Sequence, residues 1–282
     1  MRGEGACRKW ISAAFLALGA GRNLWEAALD LVYPPACGAC DALLVDGQDP
    51  VSGVFCSDCS NTLEPVGADC CPSCAAPRME PFVEFFESTD SSGDPGPPRM
   101  QGMEPTSSCH DCRRLQPAFD RTFSPWLYGG ALLEALYRLK YEGRVHLARP
   151  MGRLLFFGLP RPLEVDVVVP VPSHPMRVRQ RGFDHVHCMA HEVSLGLGPP
   201  ALAALRRRRN TPPQARLNLR GRLKNLEGSI DCARGTRRHL HGRRVLLVDD
   251  VMTSGATAHT CATALLAAGA RAVSVAVLAR AP

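Results

Sequence analysis

From about residue 119 onward, apolar positions fall into alternating helix-like and strand-like runs. Residues 131–141, Ala-Leu-Leu-Glu-Ala-Leu-Tyr-Arg-Leu-Lys-Tyr, have the composition and apolar spacing of a helix, and a second helix is expected over 146–157. Residues 165–171 then predict a strand, 183–195 a helix, 245–248 a strand, 258–268 a helix and 272–278 a last strand. Strands alternating with helices imply right-handed crossovers and a mainly parallel sheet flanked by helices, an α/β fold. In such sheets ligands bind outside the carboxyl ends of the strands. Further upstream, residues 23–32 predict an amphipathic helix. The leader before it carries Arg2, Arg8 and Lys9 ahead of an apolar stretch, 10–18, that Ser12 interrupts. This imitates a secretory signal only faintly, so a cytoplasmic location is expected. No apolar run approaches the roughly 20 residues of a membrane span, so no membrane insertion is expected.

Chemistry concentrates at residues 245–257, Val-Leu-Leu-Val-Asp-Asp-Val-Met-Thr-Ser-Gly-Ala-Thr. The expected strand ends in two carboxylates, Asp249 and Asp250. A turn of Thr253, Ser254, Gly255, Ala256 and Thr257 then opens a helix. Hydroxyls and glycine at a helix N-terminus aim backbone N–H groups and the positive dipole end outward, which suits an anion. Carboxylates beside a phosphate seat would repel phosphate itself. They fit a ligand that also presents hydroxyls or Mg²⁺, as a ribose 5-phosphate does.

Residues 169–185 offer a second anion pocket. A strand runs into a Pro-rich turn with Ser173 and His174, followed by Arg177, Arg179 and Arg181, whose forked, permanently charged heads suit phosphates. If the first loop takes a 5′-phosphate, this one is placed for pyrophosphate. Residues 209–224, rich in Pro, Gln and basic residues, lack periodicity and read as a mobile loop. The net charge of +6 is concentrated here: residues 201–244 hold 13 Lys and Arg against Glu227 and Asp231. Such a block suits nucleic acid, a polyphosphate or a solvated surface.

Of 13 cysteines, eight form four Cys-x-x-Cys pairs: Cys37/Cys40, Cys56/Cys59, Cys71/Cys74 and Cys109/Cys112. Two such pairs complete a zinc site of four thiolates. A site closed in this way leaves no open position for chemistry, so structural Zn²⁺ is expected. Cys70 competes with Cys71; the Cys71-Pro-Ser-Cys74 spacing is the tighter fit. Cys7, Cys188, Cys232 and Cys261 read as ordinary thiols. With 45% hydrophobic and 21% charged residues the chain is globular. Its expected organisation is a leader and helix over 1–34, a double zinc ribbon over 35–116 with an acidic Pro/Gly/Ser-rich insert at about 80–105, and an α/β domain over 117–282.

The run at 245–257 resembles the phosphoribosyl-pyrophosphate (PRPP) signature of type I phosphoribosyltransferases, with Ser254 where that family usually has Thr. The resemblance implies that Asp249 and Asp250 hold the ribose hydroxyls and that Thr253 to Thr257 hold the 5′-phosphate. It also implies Mg²⁺ accompanying PRPP, and a loop that closes over PRPP, with Thr211, Gln214, Arg220 and Lys224 as candidates. More broadly the chain resembles the ComF family, the competence protein F or GntX-like proteins, which join a double zinc ribbon to a type I phosphoribosyltransferase domain. The likeness runs through Leu31-Val-Tyr-Pro-Pro-Ala-Cys37, Pro117-Ala-Phe-Asp120, Tyr137-Arg-Leu-Lys-Tyr141, Val169-Pro-Val-Pro172, Arg181-Gly-Phe183 and Thr211-Pro-Pro-Gln214. It implies transfer of phosphoribosyl from PRPP to an acceptor the sequence does not identify. The rival reading is a non-catalytic sensor of PRPP or a nucleotide that acts in DNA uptake and contacts single-stranded DNA or a helicase-like partner. The oligomeric state is left open.

Overall fold

The computed structural model describes residues 35–44, 53–78, 108–208 and 228–281. The leader, the 23–32 helix, the 80–105 insert and the loop candidates Thr211, Gln214, Arg220 and Lys224 lie outside the described residues.

The cysteine-rich segment contains two short helices, α1 (Ser57–Ser60) and α2 (His110–Leu115). After them come β1 (Arg121–Phe123), β2 (Trp126–Leu127), α3 (Gly130–Tyr141), a 3₁₀ turn (Val145–Leu147), α4 (Ala148–Phe157) and β3 (Val167–Pro170). The chain continues through α5 (Pro175–Arg181), α6 (His185–Leu197), β4 (Leu205–Arg207), β5 (Ile230–Cys232), α7 (Arg237–Leu240), β6 (Arg244–Met252), α8 (Ala256–Ala267) and β7 (Ala272–Arg280). The main sheet has the order β1-β7-β6-β3, with β2 also pairing β7, and every pairing in it is parallel. This is the α/β architecture expected from the sequence, a parallel sheet flanked by helices with a Cys-rich double zinc ribbon before it.

A parallel sheet covered on both sides needs strands apolar on both faces, and β3, β6 and β7 are nearly uninterrupted runs of Val, Leu and Ala. Alternation sorts them. Val168, Leu246, Val248, Ala276 and Leu278 turn to one face, packed with residues of α3, α4 and α6. Val167, Val169, Val245, Leu247, Val275 and Val277 turn to the other, with α8 and the β4–β5 pair. Gly152 brings α4 close to α6, since a Cβ there would stand 2.8 Å from Met189 Cα.

The cysteine-rich segment is built into these cores rather than beside them. Cys37, Val54 and Phe55 belong to the first, and Cys71, Cys74 and Cys112 to the second. Elements not anticipated from the sequence are β1, β2, the antiparallel β4–β5 pair, α5 and α7. Residues 175–181, which carry the arginines expected to follow the Pro-rich turn, form the α5 helix. His174 caps it, its Nδ1 accepting from Met176 N (3.2 Å), and Pro175 takes the first turn, where its missing N–H is harmless.

Candidate functional site

Strand β6 outlasts one neighbour. It pairs with β3 only as far as Pro170↔Val248, while β7 accompanies it to Met252↔Arg280. Asp249 and Asp250 therefore do not terminate the strand, as the sequence suggested; they lie within it, beyond the end of β3, at the carboxyl edge of the sheet. Alternation then separates them. Asp250, 8% exposed, follows Leu246 and Val248 to the α3/α6 face. Asp249 follows Val245 and Leu247 to the other face, where it lines a small cleft with Val277 and residues 253–258.

Asp250 is held by a half-buried lysine and a buried histidine. Lys140 Nζ of α3 lies 2.8 Å from its Oδ2, and His185 Nε2 of α6 lies 2.6 Å from the same oxygen. Arg181 Nη1 stands 3.3 Å from His185 Nδ1. Because a guanidinium only donates, Nδ1 accepts, and the imidazole proton sits on Nε2, where it is donated to Asp250. Burial alone would raise the Asp250 carboxyl, but the Lys140 charge and the His185 hydrogen bond outweigh it and hold the group far below the usual carboxylate range. Asp249 goes the opposite way: burial first, then the charge of Asp250, push it up to about 7. Its Oδ1 accepts from Asp250 N at 2.8 Å. One carboxylate is a fixed anion and the other is poised near neutrality, a division typical of chemically useful pairs.

The loop after β6 turns at Gly255, whose left-handed backbone (φ 73°) disfavours any residue with a Cβ. It caps α8 without a side-chain hydrogen bond, which leaves the first-turn amides and the helix dipole for an anion. The second anion segment is arranged differently from the expectation. Ser173 Oγ donates to Asp184 Oδ1 (3.1 Å), the oxygen that also accepts from His187 N and caps α6. Ser173 and His174 are thus engaged in starting helices. Arg177 and Arg181 lie on α5, half-buried, and Arg181 also stacks 5.7 Å from the Tyr141 ring. An open cleft of about 660 Å³ lies alongside, lined by Ser173, Asp184, His187, Arg206, Arg207 and Arg208 among others.

Lys140 and His185 were not singled out as site residues, yet their spacing carried a signal. Lys140 falls four residues after Leu136, and His185 four before Met189, on the buried faces of their helices. A charged or polar group on an apolar stripe needs a buried partner.

The eight cysteines gather into two groups, Cys37/Cys40/Cys56/Cys59 and Cys71/Cys74/Cys109/Cys112, the sulfurs of each lying within 4.8 Å of one another. Tetrahedral Zn–S bonds of about 2.3 Å place sulfurs about 3.8 Å apart. Cys40 and Cys56 stand at 3.6 Å, and Cys74 and Cys109 at 3.7 Å, so the donors fit zinc. The two centres repeat one design. In each, the first pair sits in a turn closed by a two-residue bridge (Ala36↔Leu43 and Cys70↔Pro77), with a left-handed residue, Asp41 or Ala75, after its second cysteine. The second pair opens a short helix whose N-cap is Cys56 or Cys109. Cys71 joins the second group, and Cys70 stands outside it in the bridge.

The double zinc ribbon domain family matches residues 28–113. Competence protein F of Haemophilus influenzae is 27% identical over 180 residues, covering 61% of this chain and 78% of that protein. DNA utilization protein YhgH of Escherichia coli K12 is 30% identical over 177 residues, covering 59% and 75%. A solved Bacillus subtilis glutamine phosphoribosylpyrophosphate amidotransferase, complexed with ADP and GMP, overlaps at TM-score 0.33 and 25% identity; the match covers 47% of this chain and 26% of that one. Among the described residues, no helix is long and apolar enough to cross a membrane.

Proposed function

The chain belongs to the ComF family of competence protein F and YhgH homologues, and from that premise we propose that it binds PRPP with Mg²⁺ and transfers the phosphoribosyl group to an acceptor, releasing pyrophosphate. The observation that carries this reading is the pairing, at one sheet edge, of an ionisable Asp249 with the uncapped start of α8 in a single cleft. Asp249 and Asp250 fix the ribose 2′- and 3′-hydroxyls and favour the positive ring that develops as the C1–oxygen bond to pyrophosphate breaks. Thr253, Ser254, Gly255, Ala256 and Thr257 anchor the 5′-phosphate, and that remote binding positions C1. Arg177 and Arg181 stand ready for the leaving pyrophosphate. Carboxylate and phosphate oxygens suit Mg²⁺, which when bound supplies charge neutralisation at the pyrophosphate.

The reading is tested by calorimetric titration of Mg²⁺ and PRPP into the zinc-loaded chain and its Asp249→Asn variant. Asp249 is the cleaner target, because Asp250 also neutralises a half-buried lysine. Asp249→Asn is expected to weaken binding by about 100-fold, or about 2.7 kcal/mol, with no fall in melting temperature. No binding by the intact chain, or equal binding by the variant, would overturn the proposal.

A pH dependence follows from the raised Asp249 carboxyl. Its ionised form accepts the ribose hydroxyls, so affinity rises between about pH 6 and pH 8. Asp249→Asn flattens that portion of the profile while leaving the ligand's own titration in place. For the empty fold the sign reverses. A carboxyl with a raised folded pKa holds its proton more tightly when folded, so stability declines as pH rises from the ordinary carboxylate range through about 7.

A second reading rests on the relatives' names, which refer to competence and to DNA utilization. In it the chain serves DNA uptake through single-stranded DNA or a helicase-like partner, with exposed Arg206, Arg208 and Arg234 as phosphate contacts. DNA binding that survives Asp249→Asn unchanged, in a chain that does not turn over PRPP, would favour it.

A further inference from the structure

The second metal centre lies against the 253–257 loop, and one side chain joins the two. Arg280, the last residue of β7, is only 6% exposed. Its Nε donates to Cys74 O at 2.9 Å, and its Nη1 donates to Met252 O at 3.1 Å and also to Ala281 O. Its Nη2 lies 3.8 Å from Cys74 Sγ. These bonds go to carbonyls and a cysteine sulfur, with no carboxylate among them. Met252 closes β6, and the loop begins at the next residue.

Packing reinforces the link. Helix α2, which carries Cys112, ends at Leu115, and the Leu115 and Phe119 side chains come within 3.9 and 3.7 Å of where a Cβ on Gly255 would stand. Ala118 N donates to His259 Nδ1 in the opening turns of α8 (3.1 Å). Residues of the second ribbon, or immediately after it, therefore hold the loop at its start, its turn and its helix. Charge gives Arg280 a reason to be there: four thiolates around Zn²⁺ carry a formal charge of about −2. A buried guanidinium offsets that charge, whereas a buried unpaired cation would be strongly disfavoured. The planar fork reaches Cys74 and Met252 from separate nitrogens held in one plane, a geometry that the single nitrogen of a lysine does not reproduce.

We propose that Arg280 is a positioning residue that ties occupancy of the second metal centre to the geometry of the 253–257 loop, so that metal loss there, and not at the first centre, weakens capture of a phosphorylated ligand. The ligand clause rests on the reading of this loop as the 5′-phosphate seat.

The test compares the full chain with Arg280→Lys, Cys109→Ser and Cys40→Ser. Zinc per chain, amide hydrogen exchange at 253–257 and Mg²⁺–PRPP affinity are measured for each. Arg280→Lys should keep both zinc ions while loop exchange quickens and PRPP affinity falls, each by about tenfold. Cys109→Ser should reproduce the loop change with one zinc lost, and Cys40→Ser should lose the other zinc with the loop unaltered. Wild-type exchange in Arg280→Lys, or equal loosening in Cys40→Ser and Cys109→Ser, would overturn the coupling. Should Arg280→Lys not fold, the two cysteine variants decide the matter. Failure of the intact chain to bind PRPP would remove the 5′-phosphate reading, yet exchange needs no ligand and still decides the coupling.

Discussion

Cys37→Ser is expected to reduce bound zinc from two ions to one per chain and to lower the melting temperature by about 10 °C or more. Structural zinc contributes about 10–16 kcal/mol in small zinc-finger peptides, and losing a thiolate ligand forfeits much of that. Here the loss spreads, because Cys37 is fully buried in the same core as Leu132, Leu136 and Leu147. The neighbouring Gly38 sits so close that a Cβ would stand 3.1 Å from Leu147 Cδ2. A collapsed first centre therefore exposes the outer side of α3 and the 3₁₀ turn. For a chain of this size each kcal/mol moves the melting point by about 2–4 °C, so several lost kcal/mol give the stated drop. Metal analysis with a thermal melt checks it; two zinc ions and an unchanged melt would mean that Cys37 is not needed to hold the first ion.

The second large effect is expected at Lys140. Lys140→Met removes the charge lying 2.8 Å from Asp250 Oδ2 and leaves a buried carboxylate with His185 as its remaining partner. Breaking a buried pair on one side costs about 3–5 kcal/mol, because the survivor is still desolvated. The penalty should depend on pH with a definite sign. Without Lys140, burial drives the Asp250 carboxyl upward, so it takes a proton more readily in the folded variant than in the wild type. The stability gap is then widest near neutrality and narrows as pH falls, since protonation removes the uncompensated charge. Urea titrations at several pH values measure this. Adding Asp250→Leu to Lys140→Met should recover part of the loss, as a double-mutant cycle would report. A pH-independent gap would mean that Lys140 acts through packing of its stem.

Much of this site could be read in the residues themselves. The cysteine spacings pair in space as they pair in sequence, and the 245–257 run encodes a buried strand, two carboxylates and a helix start. Helices α3, α4, α6 and α8 follow apolar stripes long enough to be seen. The short strands β1 and β2 could not be, because two or three residues are too few to display a period; β7 recruits them by pairing. The β4–β5 pair was hidden at the margins of a basic block, where Leu205 runs straight into four arginines and Ile230 stands between Ser229 and Asp231. The strand position of Asp249 and Asp250 depends on how far β7 continues past β3, and so on two distant segments. The same holds for their opposite environments, which the adjacent letters Asp-Asp do not distinguish.

The Arg280–Cys74 hydrogen bond spans 206 residues of chain, which sets an order of events during synthesis. The cysteines of the second centre leave the ribosome well before the arginine that sits beside them, because β7 follows all four of them in the chain. Contacts between such distant residues close late, after the loop entropy between them has been overcome. The loop that follows β6 gains its full support only after Arg280 has emerged and paired with Cys74 and Met252. The second cysteine group can assemble before the side chain that links it to that loop is available.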